Sequence, residues 1–141
     1  DRKKEIMVLS NGENVSPAVI EQQLVQSPAI LQAMVIADDR SDVAALIVPD
    51  VDGLRRLWQK SMNEELPDNW RESERVHSWM LIQMRSQEHD LSSFMQVKRF
   101  ACVDDEWTQD SGLLTPTLKL KRRKISERYA DLIEALYGKE K

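Results

Sequence analysis

Apolar residues along this chain change their period several times, and each change marks an element. Ile6–Leu9 is a short run of strand formers closed by Asn11-Gly12, a strong turn signal. Ser16-Pro17 then offers a helix N-cap followed by proline at the first helical position. Ile20, Leu24 and Val25 recur on one face of the helix that follows, which stops near Ser27-Pro28. Ala33–Ala37 reads as a buried strand. The polar turn Asp38–Asp42 separates it from Ala44–Val48, so the two predict a hairpin, closed by Pro49-Asp50. From about 53 to 95 the period becomes helical. Leu54, Leu57, Trp58 and Met62 share one helix, ended by Pro67; Val76, Trp79, Met80 and Gln83 share a second; Leu91, Phe94 and Met95 mark a short third. Gln96–Val103 returns to strand character, and Asp104–Gly112 reads as loop. Ile125, Tyr129, Leu132, Ile133 and Leu136 predict a terminal amphipathic helix stopped by Gly138. The order β-α-β-β-(α)-β-α predicts an α+β fold, a small three-stranded sheet plus hairpin flanked by helices.

Composition sharpens this only at a few points. The 141 residues suit one domain spanning 1–141, with 41% apolar and 31% charged residues, as in soluble globular proteins. A chain of this size buries roughly 70% of its unfolded surface, so a core needs no staples. The formal net charge of −4 argues against a nucleic-acid partner, which usually calls for a basic domain. A single cysteine, Cys102, excludes an internal disulfide and suggests a reducing compartment. No apolar run approaches the roughly 18 residues of a membrane span, and no signal peptide is visible. The chain begins at Asp1 with a charged segment that feeds straight into a strand, and it reads as the C-terminal piece of a larger protein.

Two cationic, turn-rich segments carry the candidate chemistry. In Leu113–Lys124, five of the last six residues are basic, directly before the terminal helix. Cations are mildly unfavourable at a helix N-terminus, which hints at another use for the cluster. A Thr-Pro-Thr turn sets Lys119 on an exposed loop. A mobile cation of this kind suits phosphoryl and nucleotidyl chemistry, in which negative charge spreads over the oxygens around phosphorus. On charge alone the segment reads more readily as a solvated basic patch. It lacks the interleaved aromatics that stack on bases, so nucleic acid is not an expected partner. The other segment is Asp1–Glu5, followed by Ser10–Pro17 around Gly12. Elsewhere the chain is quiet. His77 and His89 lack a partner Cys pair, so no metal site is expected. Cys102, Trp58, Trp70 and Trp79 read as packing residues, and no GxxxxGK[ST] or GxGxxG nucleotide cradle exists.

Leu114, Thr115, Pro116, Thr117 and Lys119 resemble the Leu-Thr-Pro-Thr-x-Lys turn near the C-terminus of long-chain acyl-CoA synthetases, members of the adenylate-forming superfamily. Leu118 stands where many relatives have Gly. The resemblance implies that Lys119 is catalytic, contacting the fatty-acid carboxylate and the α-phosphate of ATP, with Lys121 and Arg122 supporting the loop. Arg2-Lys3-Lys4-Glu5 is similar to the family's hinge motif. That match makes Arg2 a nucleotide-binding residue and Lys4 the hinge. An accessory lysine found in some relatives is replaced by Val8. Ser10–Pro17 resembles the Gly-x-Asn-Val-x-Pro loop that lines the pantetheine path, which assigns Gly12, Glu13 and Asn14 to a coenzyme A tunnel. A glycine there also fits an ordinary turn. The relatives' acidic residue before Ile-Glu is Val19 here.

The resemblance thus implies the C-terminal, mobile domain of an AMP-forming long-chain fatty-acid–CoA ligase. Its N-terminal adenylation domain would be the partner, with fatty acid, ATP and coenzyme A as substrates and Mg2+ beside ATP. The piece alone would bind none of these and would be inactive. The implied location is cytoplasmic, peripheral to the inner face of the membrane. Two other readings stand beside it: an acyl-AMP ligase that loads a carrier protein, and a non-catalytic interaction module with a basic loop.

Overall fold

The computed structural model describes residues 5–88 and 90–138. They fall into two compact units, the first ending at Val103 and the second beginning at Asp104.

The first unit is organised by its central strand. Strands β1 (Met7–Val8) and β2 (Asn14–Val15) form a small antiparallel ribbon, and helix α1 spans Pro17–Leu24. Strands β3 (Ile30–Ile36), β4 (Val43–Pro49) and β5 (Val97–Cys102) make a three-stranded sheet in the order β3-β4-β5. All seven residues of β4 are buried, as a strand of Val, Ala, Leu and Ile without polar alternation demands. Its antiparallel partner β3 sets Ala33 opposite Ile47 and Val35 opposite Ala45; the turn between them holds Asp39 at φ 62°. Strand β5 pairs with β4 in parallel, Ala45 opposite Phe100 and Ile47 opposite Cys102. A parallel pair requires a long crossover. Helices α2 (Val51–Met62) and α3 (Glu74–Gln87) supply it, with a 3-10 turn at Trp70–Glu72 between them and another at Ser93–Met95 before β5.

Local chemistry sets the helix ends. Asp50 closes the hairpin, its N–H donating to the Ala29 carbonyl at 2.9 Å, and its carboxylate also accepts the Gly53 N–H at 3.1 Å and caps α2, so the helix starts earlier than its apolar period suggests. Asn63, in the left-handed conformation at φ 56° and ψ 39°, ends α2 before Pro67 is reached. Gly53 is a packing requirement: a Cβ there would lie 1.9 Å from the Pro28 carbonyl oxygen. Ser73 caps α3 by accepting the Val76 N–H at 3.2 Å. The buried face of α3 is Val76, Trp79, Met80 and Met84, so Met84 takes the place expected of Gln83. On α1, Ile20 and Leu24 are buried while Val25 faces outward. These side chains pack with Val35, Ala45, Ile47, Leu54, Trp58 and Phe100 in one core. Each large aliphatic buried there contributes about 1.5–3 kcal/mol. Trp58 and Trp79 meet edge to face at 5.0 Å, a geometry that adds about 0.5–1.5 kcal/mol.

The end of α3 is tied to β5 by a buried carboxylate. Glu88 is fully buried, and its two oxygens accept the Val97 N–H at 3.1 and 3.3 Å. Burial, the dominant cause, raises its pKa to about 7 against the opposing pull of that hydrogen bond and of Lys98 and Arg85.

The second unit buries Trp107, Leu113, Leu114, Ile125, Ile133 and Tyr137. Trp107 lies in the stretch expected to be plain loop, yet it is only 1% exposed. The single terminal helix anticipated from the apolar period is two helices, α4 (Arg122–Arg128) and α5 (Ala130–Leu136). They divide at Tyr129, whose backbone leaves the helical region at φ −111° and ψ 27°. The Tyr129 hydroxyl accepts the Trp107 indole N–H at 3.4 Å.

Candidate functional site

The Lys119 turn is a three-residue hairpin loop. The Thr115 N–H donates to the Lys119 carbonyl at 2.8 Å, and the Leu118 N–H donates to the Thr115 carbonyl at 2.8 Å. A bridge between Leu114 and Leu120 continues the pairing, and the Lys121 N–H reaches the Leu113 carbonyl at 2.9 Å. Loops of this length favour a left-handed residue at the third position, usually glycine. Here that residue is Leu118, at φ 65°. A left-handed non-glycine residue costs roughly 1–2 kcal/mol. Its neighbours hold it in place. The Thr115 hydroxyl accepts the Lys119 N–H at 3.0 Å and lies 3.1 Å from the Thr117 hydroxyl. The Gln109 side-chain amide donates to the Pro116 carbonyl at 2.7 Å and to the Thr115 carbonyl at 3.3 Å.

The turn therefore fixes the backbone of Lys119 and leaves its side chain exposed. Among the described residues no carboxylate pairs with its ammonium group. Leu118 is 68% exposed at the tip beside it. The basic run continues into α4, which carries no acidic residue in its first turn; Arg123 makes an exposed contact with Glu127 at 3.7 Å. Such exposed pairs contribute little.

Gly12 sits in a loop of the same design in the first unit. The Leu9 N–H donates to the Glu13 carbonyl at 2.9 Å, and the Gly12 N–H donates to the Leu9 carbonyl at 2.8 Å. Gly12 occupies the left-handed third position at φ 93°, with nothing within 4 Å of a notional Cβ. The turn itself thus favours glycine, apart from any ligand that passes it. The Asn11 side-chain Oδ1 accepts the Glu13 N–H at 3.0 Å. Glu13 and Asn14 are exposed, Asn14 at the start of β2. Arg2 and Lys4, assigned to nucleotide and hinge, lie outside the described residues. Gln109 was not singled out by the sequence; a side chain reaching carbonyls six and seven residues ahead leaves no periodic signal.

Apart from these turns, an open cleft of about 250 Å3 is lined by Trp70, Arg71, His77, Met80, Phe100 and Cys102, and none of the sequence-derived site residues lines it. His77 stacks on Phe100 at 4.1 Å, and burial lowers its pKa. Among the described residues no group of three or more His, Cys, Asp or Glu side chains is placed to hold a metal ion. Among them, too, no helix is long and apolar enough to cross a membrane.

A small α+β sheet unit followed by a helical unit that presents a lysine hairpin defines a known class of domain. Residues 4–141 match the family described as AMP-binding enzyme C-terminal domain, and the chain belongs to that family. It is 34% identical over 142 residues to a long-chain-fatty-acid–CoA ligase of Mycobacterium tuberculosis, covering 99% of this chain and 24% of the relative. It is 34% identical over 137 residues to the chloroplastic long-chain-fatty-acid–[acyl-carrier-protein] ligase of Arabidopsis thaliana, covering 97% of this chain and 17% of the relative. The adenylation domain of carboxylic acid reductase from Segniliparus rugosus, solved with AMP and a co-purified carboxylic acid, is similar in fold at a TM-score of 0.78 and 26% identity, over 100% of this chain and 21% of that one. The chain thus spans at most about a quarter of the length of these relatives.

Proposed function

We propose that this chain is the C-terminal, mobile domain of a long-chain fatty-acid–CoA ligase and that Lys119 serves its first half-reaction. A fatty-acid carboxylate oxygen attacks the α-phosphorus of ATP. The bond between the α-phosphorus and the α,β-bridging oxygen breaks, and pyrophosphate leaves with that oxygen, giving acyl-adenylate. The thiol of coenzyme A then attacks the acyl carbonyl, and AMP departs. The observation that carries the reading is the braced hairpin that holds an exposed Lys119 with no paired carboxylate among the described residues. A preorganised cation of that kind stabilises charge as it builds on the phosphate oxygens. Arg2 would contact the nucleotide, and rotation about Lys4 would exchange the Lys119 turn for the loop of Gly12, Glu13 and Asn14 beside the pantetheine arm. Mg2+ would enter with ATP and be held by the adenylation domain, which also carries the acyl pocket. The protein would work in the cytoplasm, peripheral to the inner face of the membrane. Alone, the chain would not turn over.

The test separates the half-reactions. In the intact enzyme, Asn14→Trp should leave pyrophosphate release from ATP and palmitate unchanged while acyl-CoA output from supplied acyl-adenylate collapses. Asn14 is preferred to Gly12 because its side chain is exposed and its backbone is that of an ordinary strand. Equal loss of both steps would refute the tunnel assignment. Pyrophosphate release by the isolated chain would refute the fragment reading. The Arabidopsis relative favours a second acceptor, so acyl-carrier protein should be assayed beside coenzyme A.

A further inference from the structure

We propose that Gln109 is a positioning residue for Lys119; this rests on the reading just given. Leu118 holds a backbone conformation that leucine disfavours, and such strain persists only where surrounding contacts over-determine it. Within the loop, the Thr115 hydroxyl and backbone commit both the N–H and the carbonyl of Lys119. Thr115 must itself be held for that to fix the lysine. The Gln109 amide does so from outside the loop, donating to the carbonyls of Thr115 and Pro116. Gln109 is anchored in turn. The Gly112 N–H closes on its carbonyl at 3.0 Å, and Thr108 and Ser111 exchange hydrogen bonds on either side of it. The Thr108 carbonyl also accepts the N–H groups of Leu113 and Leu114 at 3.3 and 3.2 Å, so this turn is tied to the strand that leads into the lysine hairpin. Trp107, buried next door, seats the whole segment.

Gln109 is exposed, and hydrogen bonds at such a site add little to global stability. Its value lies in geometry: a loop free to relax at Leu118 would swing the Lys119 side chain away from a developing charge that rewards placement. In the intact enzyme, Gln109→Ala and Gln109→Glu should slow single-turnover pyrophosphate release roughly 5–20-fold, with the KM for ATP moved less than about twofold. Gln109→Lys keeps a donor at the same reach and should recover most of the rate. Thioester formation from supplied acyl-adenylate should stay within about twofold. On a Lys119→Ala background, Gln109→Ala should cause no further loss, because a positioning residue acts only through the group it positions.

The proposal is overturned if Gln109→Ala leaves pyrophosphate release intact while Lys119→Ala abolishes it. It is overturned equally if both half-reactions and the melting temperature fall together, or if the Gln109 and Lys119 losses multiply. Should Lys119→Ala itself spare adenylation, the broader reading falls, and the positioning role falls with it.

Discussion

The loops at Gly12 and Leu118 are built on one plan and solved in opposite ways. Each spans three residues between a paired N–H and carbonyl, and each needs a left-handed residue third. The first loop uses glycine, for which that conformation is free, and has open space where a side chain would go. The second forces leucine into the same conformation and spends a threonine hydroxyl and a glutamine amide holding it. The first is a turn that any glycine can make. The second is a turn whose shape depends on named side chains, and it carries the exposed lysine. Bracing of this kind marks the place where backbone placement matters beyond reversing the chain.

The most forceful way to break the comparison is to remove what the second loop presents. Lys119→Ala in the intact enzyme should lower the adenylation rate by about 10²–10³, the usual worth of one preorganised group at developing charge. Rapid-quench measurement of pyrophosphate checks it. Thioester formation from supplied acyl-adenylate should survive.

A pH series sharpens the contrast from the side of Gly12, because that unit also encloses Glu88. Its folded pKa, about 7, lies above the unfolded 4.5. Between these values the folded chain keeps a proton that the unfolded chain has released, so stability falls as pH rises through that window and levels off above about 7. Glu88→Gln keeps an acceptor for the Val97 N–H and removes the charge. It should flatten the fall and stabilise the protein at pH 8 by up to about 3 kcal/mol, read from urea unfolding at pH 5 and pH 8. An unchanged pH slope would show that the carboxylate is not the desolvated group.

Gly12→Ala tests whether the first loop pays only for backbone conformation. With nothing near the new methyl group, the cost should be about 1–2 kcal/mol, the penalty of a left-handed non-glycine residue. A larger loss in denaturant unfolding would reveal contacts that the open space does not suggest. The smallest effect is expected from Leu118→Gly. Relief of strain, about 1–2 kcal/mol, is offset by roughly 0.5–1 kcal/mol of added freedom in the unfolded chain. The melting temperature should rise slightly or hold. A clear drop would mean that the leucine side chain contributes something its exposure hides.

Much of the fold can be read from period alone, because burial dictates period. β4 is apolar at every position, and its run reads as a strand of a hairpin, though not as the centre of the sheet. Where polar chemistry ends an element, the reading slips. Asn63 stops α2 by adopting a left-handed conformation, while the conspicuous Pro67 lies beyond the end. Tyr129 divides the last helix although its apolar spacing continues. Trp107 is core inside a stretch whose acidic and polar neighbours look like loop. A turn exposing Lys119 was legible through Thr-Pro-Thr and the basic run, although the hairpin pairing around it was not. Nor was its brace, since the contact of Gln109 with two carbonyls depends on how two turns meet rather than on any residue pattern. The positive φ of Leu118 gives a physical reason for the glycine that the resemblance leads one to expect at that place.

The parallel pairing of β4 with β5 has a consequence for how the chain is made. Ala45 and Phe100 are neighbours in the sheet, but both crossover helices must be synthesised between them. At roughly 5–20 residues per second, the wholly apolar β4 waits several seconds beside its hairpin partner with one edge unpaired. During that interval α2 and α3 can cover its face, but only β5 can close its backbone. The nascent chain is therefore most exposed to mispairing in the time between the birth of Pro49 and that of Val97, well before the lysine turn exists.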